Sequence, residues 1–497
     1  MFNYKKLGIL MLVAIFVATF ALAAYSQKKY EDVTVTVVTE SGYQRNSAVM
    51  AKNAWEEEYE GEIEIVTFPF GELYQKIMTT FTMGQAQFDV LIFPSGWMGD
   101  FAGGGYLEPL DKYLAEDEDF NMNEVMPIFR DRIIKWAGKT YSLPYDGDLH
   151  NIVVRTDLID NPEYKEQFRE EYGYELDVPE TWKEYRDIAE FADGWDWDGD
   201  GEEEHGAAEA MQKGTQSYWM FLSRAAPYMA MPGQPGFMFD PETMEPLVNK
   251  PGFVEALKAY KEIQNHGLPG ALNVNVSDVR DAFAAGEAAL AIDWGDTAIN
   301  ASTLEGSEVQ GKYQAAMTPG TKKVWNRKTG EWYEFEKFPS VNHAPFLAFG
   351  GWTAGITKHA SNKEAAYSYI SLLTGPEHSL KAVTTAETGR QPYRQSHFAS
   401  VDEWTRFGFT DPDKEYLNAV QRSLSYPNSR PDLRIPGLQR YYDALDAQIT
   451  RALTGELSPR KALDNVANRW EQITDDLGRE RQLELYRQSL GLSPKEE

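Results

Sequence analysis

One stretch of acidic residues in this sequence has the spacing of a metal-binding loop. From residue 196 the chain reads Asp-Trp-Asp-Gly-Asp-Gly-Glu-Glu-Glu, which places acids at loop positions one, three, five, seven and nine and Gly201 at position six. The candidate ligands are Asp196, Asp198, Asp200, Glu202 and Glu204. Position twelve, where a bidentate glutamate is expected, holds Ala207. The pattern leaves open a structural calcium ion that braces the loop and an ordinary acidic surface turn.

A second set of chemistry-bearing residues follows two short apolar runs. Glu40-Ser-Gly-Tyr43 and Pro94-Ser-Gly-Trp97 each combine a glycine, which lets a ligand approach the backbone, with polar or aromatic side chains. Flat aromatic faces and carboxylates together suit a polyhydroxylated ligand, because rings stack on its C–H faces and carboxylates accept hydrogen bonds from its hydroxyls.

The elements that would position these residues alternate between strands and helices. The β-branched run at 33–38 predicts a strand, the spacing of Ala48, Ala51, Trp55 and Tyr59 a helix, and 62–68 a second strand. A helix over about 72–83 and a buried strand at 88–93 follow. This order predicts a parallel sheet, and ligands bind beyond the carboxyl ends of the strands in such sheets.

Later helices are predicted from their ends. Thr181-Trp-Lys-Glu184 and Ser361-Asn-Lys-Glu364 have the form of capping boxes, and Gly375-Pro376 should end the second of these helices. Ser277 is the predicted cap of a further helix that ends at Gly286, before a strand at 288–292.

The composition excludes several functional classes. The 497 residues carry 48 basic and 77 acidic side chains, a net charge of -29 that disfavours nucleic acids and anionic membranes as partners. The absence of cysteine excludes disulfides, thiolate catalysis, cysteine-ligated metals and a lipid anchor on an N-terminal cysteine.

The N-terminus has the layout of an export signal. Lys5 and Lys6 precede an apolar run from Leu7 to Leu22, and Ala21, Ala23 and Ala24 give a small-residue cleavage site. We predict a signal peptide over residues 1–26, with an uncleaved anchor as the alternative. The mature protein is expected outside the cytoplasmic membrane, free in the periplasm.

The residue patterns do not favour an enzyme. The seven histidines are scattered singly, without His-Glu-x-x-His, and no Gly-x-Ser-x-Gly nucleophile elbow is present. A glycoside hydrolase stays open as an alternative, because it needs only two suitably placed carboxylates.

Several ordered segments carry a family resemblance. They are Phe88-Asp-Val-Leu-Ile-Phe93 followed by Trp97, Phe101 to Asp111, Gly138 to Asp146, Gly267 to Asn273, Ala282 to Ile292 with Trp294, Gly350-Gly-Trp352 followed by Ser361 to Ala366, and Gly389 to Arg394. Together they resemble the family-1 extracellular solute-binding proteins, the sugar-binding proteins of ATP-driven (ABC) importers. The missing anchor cysteine departs from the family's usual pattern and favours a free form over a tethered one.

The resemblance implies the α/β two-lobed periplasmic-binding-protein fold (type II), with a ligand cleft between the lobes. By analogy the first lobe is 27–147 plus 346–379 and the second is 148–345 plus 380–497, with crossings near Asp148, Pro345 and Leu380. It also implies a monomer that closes on a sugar or polyol and docks on the permease subunits of an ABC importer, with no required cofactor.

The predicted ligand site combines these positions. Trp97, Trp294 and Trp352 are expected to stack on the ligand, with Tyr43 and Tyr145 behind them and Gly351 beside Trp352. The predicted hydrogen-bonding residues are Glu40, Asp146, Asp148, Asp296 and Arg394, while Trp219, Tyr228 and Tyr426 are weaker additions from the second lobe. A cationic polyamine on the same fold is the remaining alternative, because acids and aromatic faces also suit cations.

Overall fold

The first lobe is built on a five-stranded mixed sheet. The computed structural model describes residues 30–84, 87–336 and 339–493. The strands, in spatial order, are Glu62–Phe68, Thr34–Glu40, Val90–Pro94, Trp352–Ile356 and Ser142–Pro144, hereafter the first-lobe sheet. The first three are parallel as predicted, and the last two run antiparallel to their neighbours. Every residue of Val90–Pro94 is buried, which explains its continuous apolar sequence.

The second lobe has a four-stranded sheet of its own. Its spatial order is Tyr313–Met317, Asn151–Arg155, Ala288–Asp293 and His205–Ala208, hereafter the second-lobe sheet. Asn151–Arg155 is antiparallel to both neighbours, so this sheet is mixed like the first. The predicted parallel pairing holds for the first three strands of the first lobe and for His205–Ala208 with Ala288–Asp293. A strand that enters from the other lobe is not joined by a right-handed crossover and can therefore pair in either direction.

The helices of the first half flank these sheets. Tyr43–Tyr59 and Phe70–Thr82 follow the first two strands in the chain, close to the predicted spans. The helices further along to residue 303 are Met98–Phe101, Asp111–Leu114, Thr156–Ile159, Pro162–Tyr172, Trp182–Ala192, Ser217–Met229, Pro251–Ile263, Val276–Ala284 and Asp296–Thr303.

The remaining helices lie C-terminal to the strand at 352–356. They are Lys363–Thr374, Pro376–Val383, Gln395–Ala399, Val401–Phe407, Asn418–Ser425, Leu438–Leu453, Pro459–Leu477 and Arg479–Ser489. Short two-stranded pairs complete the described chain: Lys135–Trp136 with Lys139–Thr140, Lys323–Asn326 with Glu331–Glu334, and Phe346–Leu347 with Arg430–Pro431.

Helix capping confirms one prediction and corrects two. Thr181 and Glu184 form the predicted capping box. The helix at 363–374 is capped by Asn362 rather than Ser361, and the helix at 276–284 by Asn275 with Asp278 rather than by Ser277. An asparagine oxygen serves as well as a hydroxyl in accepting the free amide hydrogens of the first turn, so sequence alone does not decide between neighbouring caps.

The predicted signal peptide, residues 1–26, lies outside the described residues. Among residues 30–84, 87–336 and 339–493, no helix combines the length and apolarity needed to cross a membrane. The predicted lobe boundaries near residues 147, 345 and 379 stay predictions.

Candidate functional site

Aromatic side chains gather at one edge of the first-lobe sheet. Phe70 follows the carboxyl end of strand Glu62–Phe68, Trp97 follows Val90–Pro94, and Trp352 begins the antiparallel strand beside it. Phe70 stacks on Trp97 with ring centroids 6.0 Å apart and meets Trp352 edge-on, also at 6.0 Å. This edge is where the strand-end rule predicts ligand binding.

The rings continue without a break into the second lobe. Phe349 lies 5.8 Å from Trp352 and 5.4 Å from Trp219, which in turn is 5.8 Å from Trp294. Trp294 directly follows strand Ala288–Asp293 of the second-lobe sheet. We call this set the ring path: Trp97, Phe70, Trp352, Phe349, Trp219 and Trp294.

The ring path is held rigidly and is open at one end. The indole Nε1 of Trp294 donates to the carbonyl of Ala348 (3.0 Å), and that of Trp219 donates to Asp432 (2.7 Å). Trp294 and Trp352 are 8% and 6% exposed, whereas Phe70 is 45% exposed. Such an exposed ring on an ordered aromatic base is suited to stacking against a ligand.

Gly351 brings acidic residues next to the ring path. Its φ is +74°, and a Cβ atom there would lie 2.2 Å from the carbonyl oxygen of Asp146, so only glycine fits. The amides of Tyr145 and Asp146 both donate to the carbonyl of Trp352, at 2.9 and 3.1 Å. Gly351 therefore lets two backbone segments approach closely, which places Asp146 beside Trp352.

Four buried or half-buried aspartates converge here around one arginine. Arg280 donates to Asp293 (2.7 Å) and Asp296 (3.0 Å), and the Gln391 side chain donates to Asp296 (3.4 Å). The Gln391 amide donates to Asp146 at 2.7 Å. We call Asp146, Asp148, Asp293 and Asp296 the aspartate cluster. Arg280 and the nearby Arg390 are two guanidinium groups against four carboxylates, so the cluster retains negative charge or protons.

The electrostatics of the cluster follow from burial and like charge. Burial, with a contribution from Asp296, raises the pKa of Asp146 to about 7. Burial and the neighbouring Asp146 and Asp296 raise the pKa of Asp148 well above its usual range. Burial, reinforced by Arg280, lowers the pKa of His150 to about 3, so this histidine is neutral at physiological pH. The cluster can thus supply both hydrogen-bond donors and acceptors at neutral pH.

Further polar atoms beside the cluster have unused hydrogen-bonding capacity. Buried atoms of Asn151, His150, Gln391 and Tyr416 have no hydrogen-bond partner within the described chain. The His150 ring lies 4.2 Å from Trp294, and Asn151 begins the strand that pairs with Asp293. Because unpaired buried polar groups are costly, this combination is typical of a site that binds a polar ligand.

Of the two predicted residues at the end of the first strand, Tyr43 lines the mouth of the same region. The Glu40 carboxylate accepts from the Gly42 amide at 2.7 Å, and burial raises its pKa. Tyr43, 55% exposed, lines a cavity of about 330 Å³ together with Arg280 and Asp296. Tyr43 therefore lies within reach of the aspartate cluster, whereas Glu40 stands three residues before it at the end of strand Thr34–Glu40.

Tyr145 and Arg394 lie in the packing of the protein instead. The Tyr145 hydroxyl donates to the Gln44 carbonyl (2.7 Å), and the side chain is fully buried. Arg394 directs its donors to the carbonyls of Thr374 and Phe120 and stacks on the Phe120 ring. The structure places Arg394 apart from the ring path, because its guanidinium is committed to main-chain oxygens.

Of the weaker second-lobe predictions, only Trp219 joins the ring path. Tyr228 pairs with Trp332 (6.5 Å), and Tyr426 with His343 (5.9 Å).

The acidic loop gathers four of its five predicted ligands. Carboxylate oxygens of Asp196, Asp198, Asp200 and Glu204 all lie within 4.8 Å of one another, a set that does not include Glu202. Ala207, at the twelfth position, is buried in strand His205–Ala208. Arg155 forms an ion pair with Asp198 at 3.0 Å. Hard oxygen donors at this spacing fit calcium, although the arginine competes for one of them.

Sequence reasoning missed several residues of the site. Phe70 could have been found, because it follows the carboxyl end of the second predicted strand as Trp97 follows the third. Asp293 directly follows the predicted strand at 288–292, and Gln391 lies in the segment Gly389 to Arg394, so both could have been found. Phe349 and Arg280 carry no local signal, and they reach the site only through tertiary contacts.

Comparison with known proteins agrees with this architecture. The family model for bacterial extracellular solute-binding proteins matches residues 36–379. The maltotriose-binding protein of Pyrococcus abyssi (strain GE5 / Orsay) is 24% identical over 201 residues, 40% of this chain. The match spans 36% of that relative's own length, about a third.

Solved structures share the fold across nearly the whole chain. Maltose-bound MalE3 of T. maritima is 21% identical with a TM-score of 0.66, covering 88% of this chain and 99% of that one. A solute-binding protein of Agrobacterium radiobacter K84 in complex with ribitol is 20% identical with a TM-score of 0.67, covering 90% of this chain and 100% of the other. At these identities the likeness concerns the fold. With the family model matching well over half of its length, the chain belongs to the bacterial extracellular solute-binding proteins.

Proposed function

We propose that this protein binds a carbohydrate or polyol between its lobes and delivers it to the permease of an ABC importer. The observation that carries the proposal is the ring path, which crosses from one lobe to the other and ends beside the aspartate cluster. Rings suit the C–H faces of a sugar, and the carboxylates and amides beside them suit its hydroxyls.

The proposed mechanism is capture without catalysis. Ligand contacts to Trp352 on one lobe and Trp294 on the other favour the closed arrangement by the difference in affinity between the two states. Relatives support the ligand class: the proteins of similar fold include complexes with maltose, ribitol and D-mannitol. We further propose that the protein acts outside the cytoplasmic membrane, as a monomer.

A ligand panel tests this function. We expect maltose, maltotriose, ribitol or mannitol to raise the melting temperature saturably, since a ligand at 100 times its Kd adds about 2.7 kcal/mol to the native state. Isothermal titration should then give a one-to-one complex, and chromatography of the incubated sugars should show no cleavage. Cleavage of a glycoside would instead favour a hydrolase.

A cationic amine is the second candidate ligand, and the aspartate cluster is the observation that favours it. The four carboxylates outnumber the two guanidinium groups of Arg280 and Arg390, so a protonated amine would gain charge-assisted hydrogen bonds there. Putrescine and spermidine therefore belong in the same panel. Stabilisation by amines alone would overturn the carbohydrate assignment.

A further inference from the structure

A second cavity lies on the other side of Asp432 from the ring path. It has a volume of about 400 Å³ and is lined by four segments of the chain: 127–132, 235–238, 424–434 and 486–490. Three arginines line it: Arg132, Arg430 and Arg434. We call this cavity the arginine pocket.

The charges of these arginines are not balanced by ion pairs. Within the described residues, none of the three lies within 4 Å of a carboxylate oxygen in an ion pair. Arg434, only 2% exposed, donates to the carbonyls of Arg132 (2.8 Å) and Ile133 (2.9 Å). Arg430 donates to the carbonyl of Met231, and its Nε is buried without a partner in the described chain. Arg132 is exposed and donates to the carbonyl of Leu490. Because carbonyls do not balance a positive charge and a buried charge without an ion pair is costly, Arg430 and Arg434 favour an anion beside them.

The two acids that line the pocket are already engaged elsewhere. Asp131 is held by Arg130 through two hydrogen bonds of 3.1 Å. Asp432 accepts from the Trp219 indole (2.7 Å), the Phe349 amide (3.0 Å) and the Tyr442 hydroxyl. Burial, together with the nearby Arg132, lowers the pKa of both Arg430 and Arg434 to about 10, which leaves both protonated at pH 7. The pocket is therefore locally positive in a chain whose net charge is -29.

We propose that the arginine pocket binds a small oxyanion, a phosphate, sulfate or carboxylate group, through Arg430 and Arg132. Guanidinium groups match such oxyanions in geometry as well as in charge. The anion would be either a free ion or an acidic group carried by a sugar. The proposal does not depend on which solute binds at the ring path.

The position of the pocket gives the anion a route to the ligand site. Arg430 pairs with Phe346 in the short two-stranded sheet. Phe346 stands three residues before Phe349 of the ring path. Asp432 then joins the pocket to Trp219 and Phe349 by hydrogen bonds. An anion held here would share this support with the aromatic site, so coupling between the two is the expected consequence.

The test uses the intact mature protein at constant ionic strength, with sodium chloride replaced stepwise by phosphate or sulfate, and glucuronate as the acidic-sugar arm. We expect a saturable rise in melting temperature and an Arg430→Gln variant that binds the anion at least tenfold more weakly. Arg132→Gln, at an exposed side chain, provides a second variant in case Arg430→Gln does not fold. Arg469→Gln, an exposed arginine on helix Pro459–Leu477, is the matched control and should bind as the wild type does.

Each outcome decides the matter. Arginine-dependent binding of inorganic phosphate or sulfate assigns the pocket to a free ion, and arginine-dependent binding of glucuronate alone assigns it to the acid group of a sugar. The proposal is overturned if chloride at equal ionic strength gives the same stabilisation. It is also overturned if the anion affinity stays within twofold of wild type in both Arg430→Gln and Arg132→Gln.

Discussion

At the scale of single residues, the function depends on how rings and carboxylates are brought together. Trp352 contacts both Phe70 and Phe349, and its carbonyl accepts the amides of Tyr145 and Asp146. One residue thus fixes the distance between the stacking surface and the first acid of the aspartate cluster. A substitution at Trp352 therefore tests the contribution of the aromatic contact at the place where the ring path meets the aspartate cluster.

Trp352→Ala should weaken binding of the ligand found in the panel by about thirtyfold, because a central aromatic contact contributes about 2 kcal/mol or more. Isothermal titration measures the change, and Trp352→Phe should recover part of it. Trp325→Ala is the control, since Trp325 lies on the hairpin 323–334 and pairs with Trp332. Equal affinity of Trp352→Ala and wild type would contradict the proposed site.

Asp146→Asn should change how stability depends on pH. The folded-state pKa of Asp146 is about 7 against an ordinary 3.8, so between these values the native state holds a proton that the unfolded chain has lost. Its contribution to the free energy of unfolding therefore falls as pH rises from about 4 to 7. As the pH rises from 4.5 to 8, the free energy of unfolding of Asp146→Asn should therefore increase relative to that of the wild type by on the order of 2 kcal/mol.

Urea unfolding at several pH values checks the Asp146 prediction. Asp160→Asn, at an exposed aspartate, is the control and should differ from wild type by a constant amount across the pH range. A constant difference for Asp146→Asn as well would show that this carboxyl titrates normally.

At the scale of elements, the sequence predicts what local pattern controls. The strands at 34–40, 62–68 and 90–94 and the capping box at Thr181 follow from periodicity and cap chemistry. The antiparallel pairing of strand Trp352–Ile356 with Val90–Pro94 does not follow from local pattern. It depends on the chain coming back to the first-lobe sheet after almost two hundred residues in the other lobe.

The candidate site divides in the same way. Trp97, Trp294 and Trp352 were predictable from strand ends and from the family resemblance, and the structure brings all three into the ring path. Arg280 was not, since its role comes from contacts with Asp293 and Asp296 that no local spacing encodes. Arg394 was chosen from a motif, and its burial against main-chain carbonyls has no sequence signal.

The acidic loop gives a prediction at this scale. We expect calcium to stabilise the protein; at ten times its Kd the ion would add about 1.4 kcal/mol to the native state. Asp200→Asn should abolish most of the gain, because Asp200 is one of the four converging carboxylates. Calorimetric scans with calcium and with a chelator measure the effect, and Asp160→Asn should respond as wild type. No difference between calcium and chelator would identify the loop as an acidic turn without an ion.

At the scale of the whole molecule, the proposed function makes binding and closure one event. The ring path joins the lobes through Phe349, which contacts Trp352 on one side and Trp219 on the other. The indole of Trp294 donates a hydrogen bond to the carbonyl of Ala348, the residue before Phe349. Any ligand that contacts Trp352 and Trp294 together must hold both lobes in one arrangement.

Small-angle scattering should therefore show a smaller radius of gyration when the panel's ligand saturates the protein. The Trp352→Ala variant should need a correspondingly higher ligand concentration for the same change, whereas Trp325→Ala should follow the wild type. A scattering curve that is identical with and without saturating ligand would contradict closure.

The two neighbouring indoles at the second-lobe end of the ring path have an optical consequence. Trp219 and Trp294 lie 5.8 Å apart and nearly perpendicular, each with its Nε1 donating to a fixed acceptor. If the solute binds along the ring path as proposed, it contacts or moves these groups, and the emission of the two indoles should change with occupancy. Intrinsic fluorescence would then report binding in dilute solution without an attached dye.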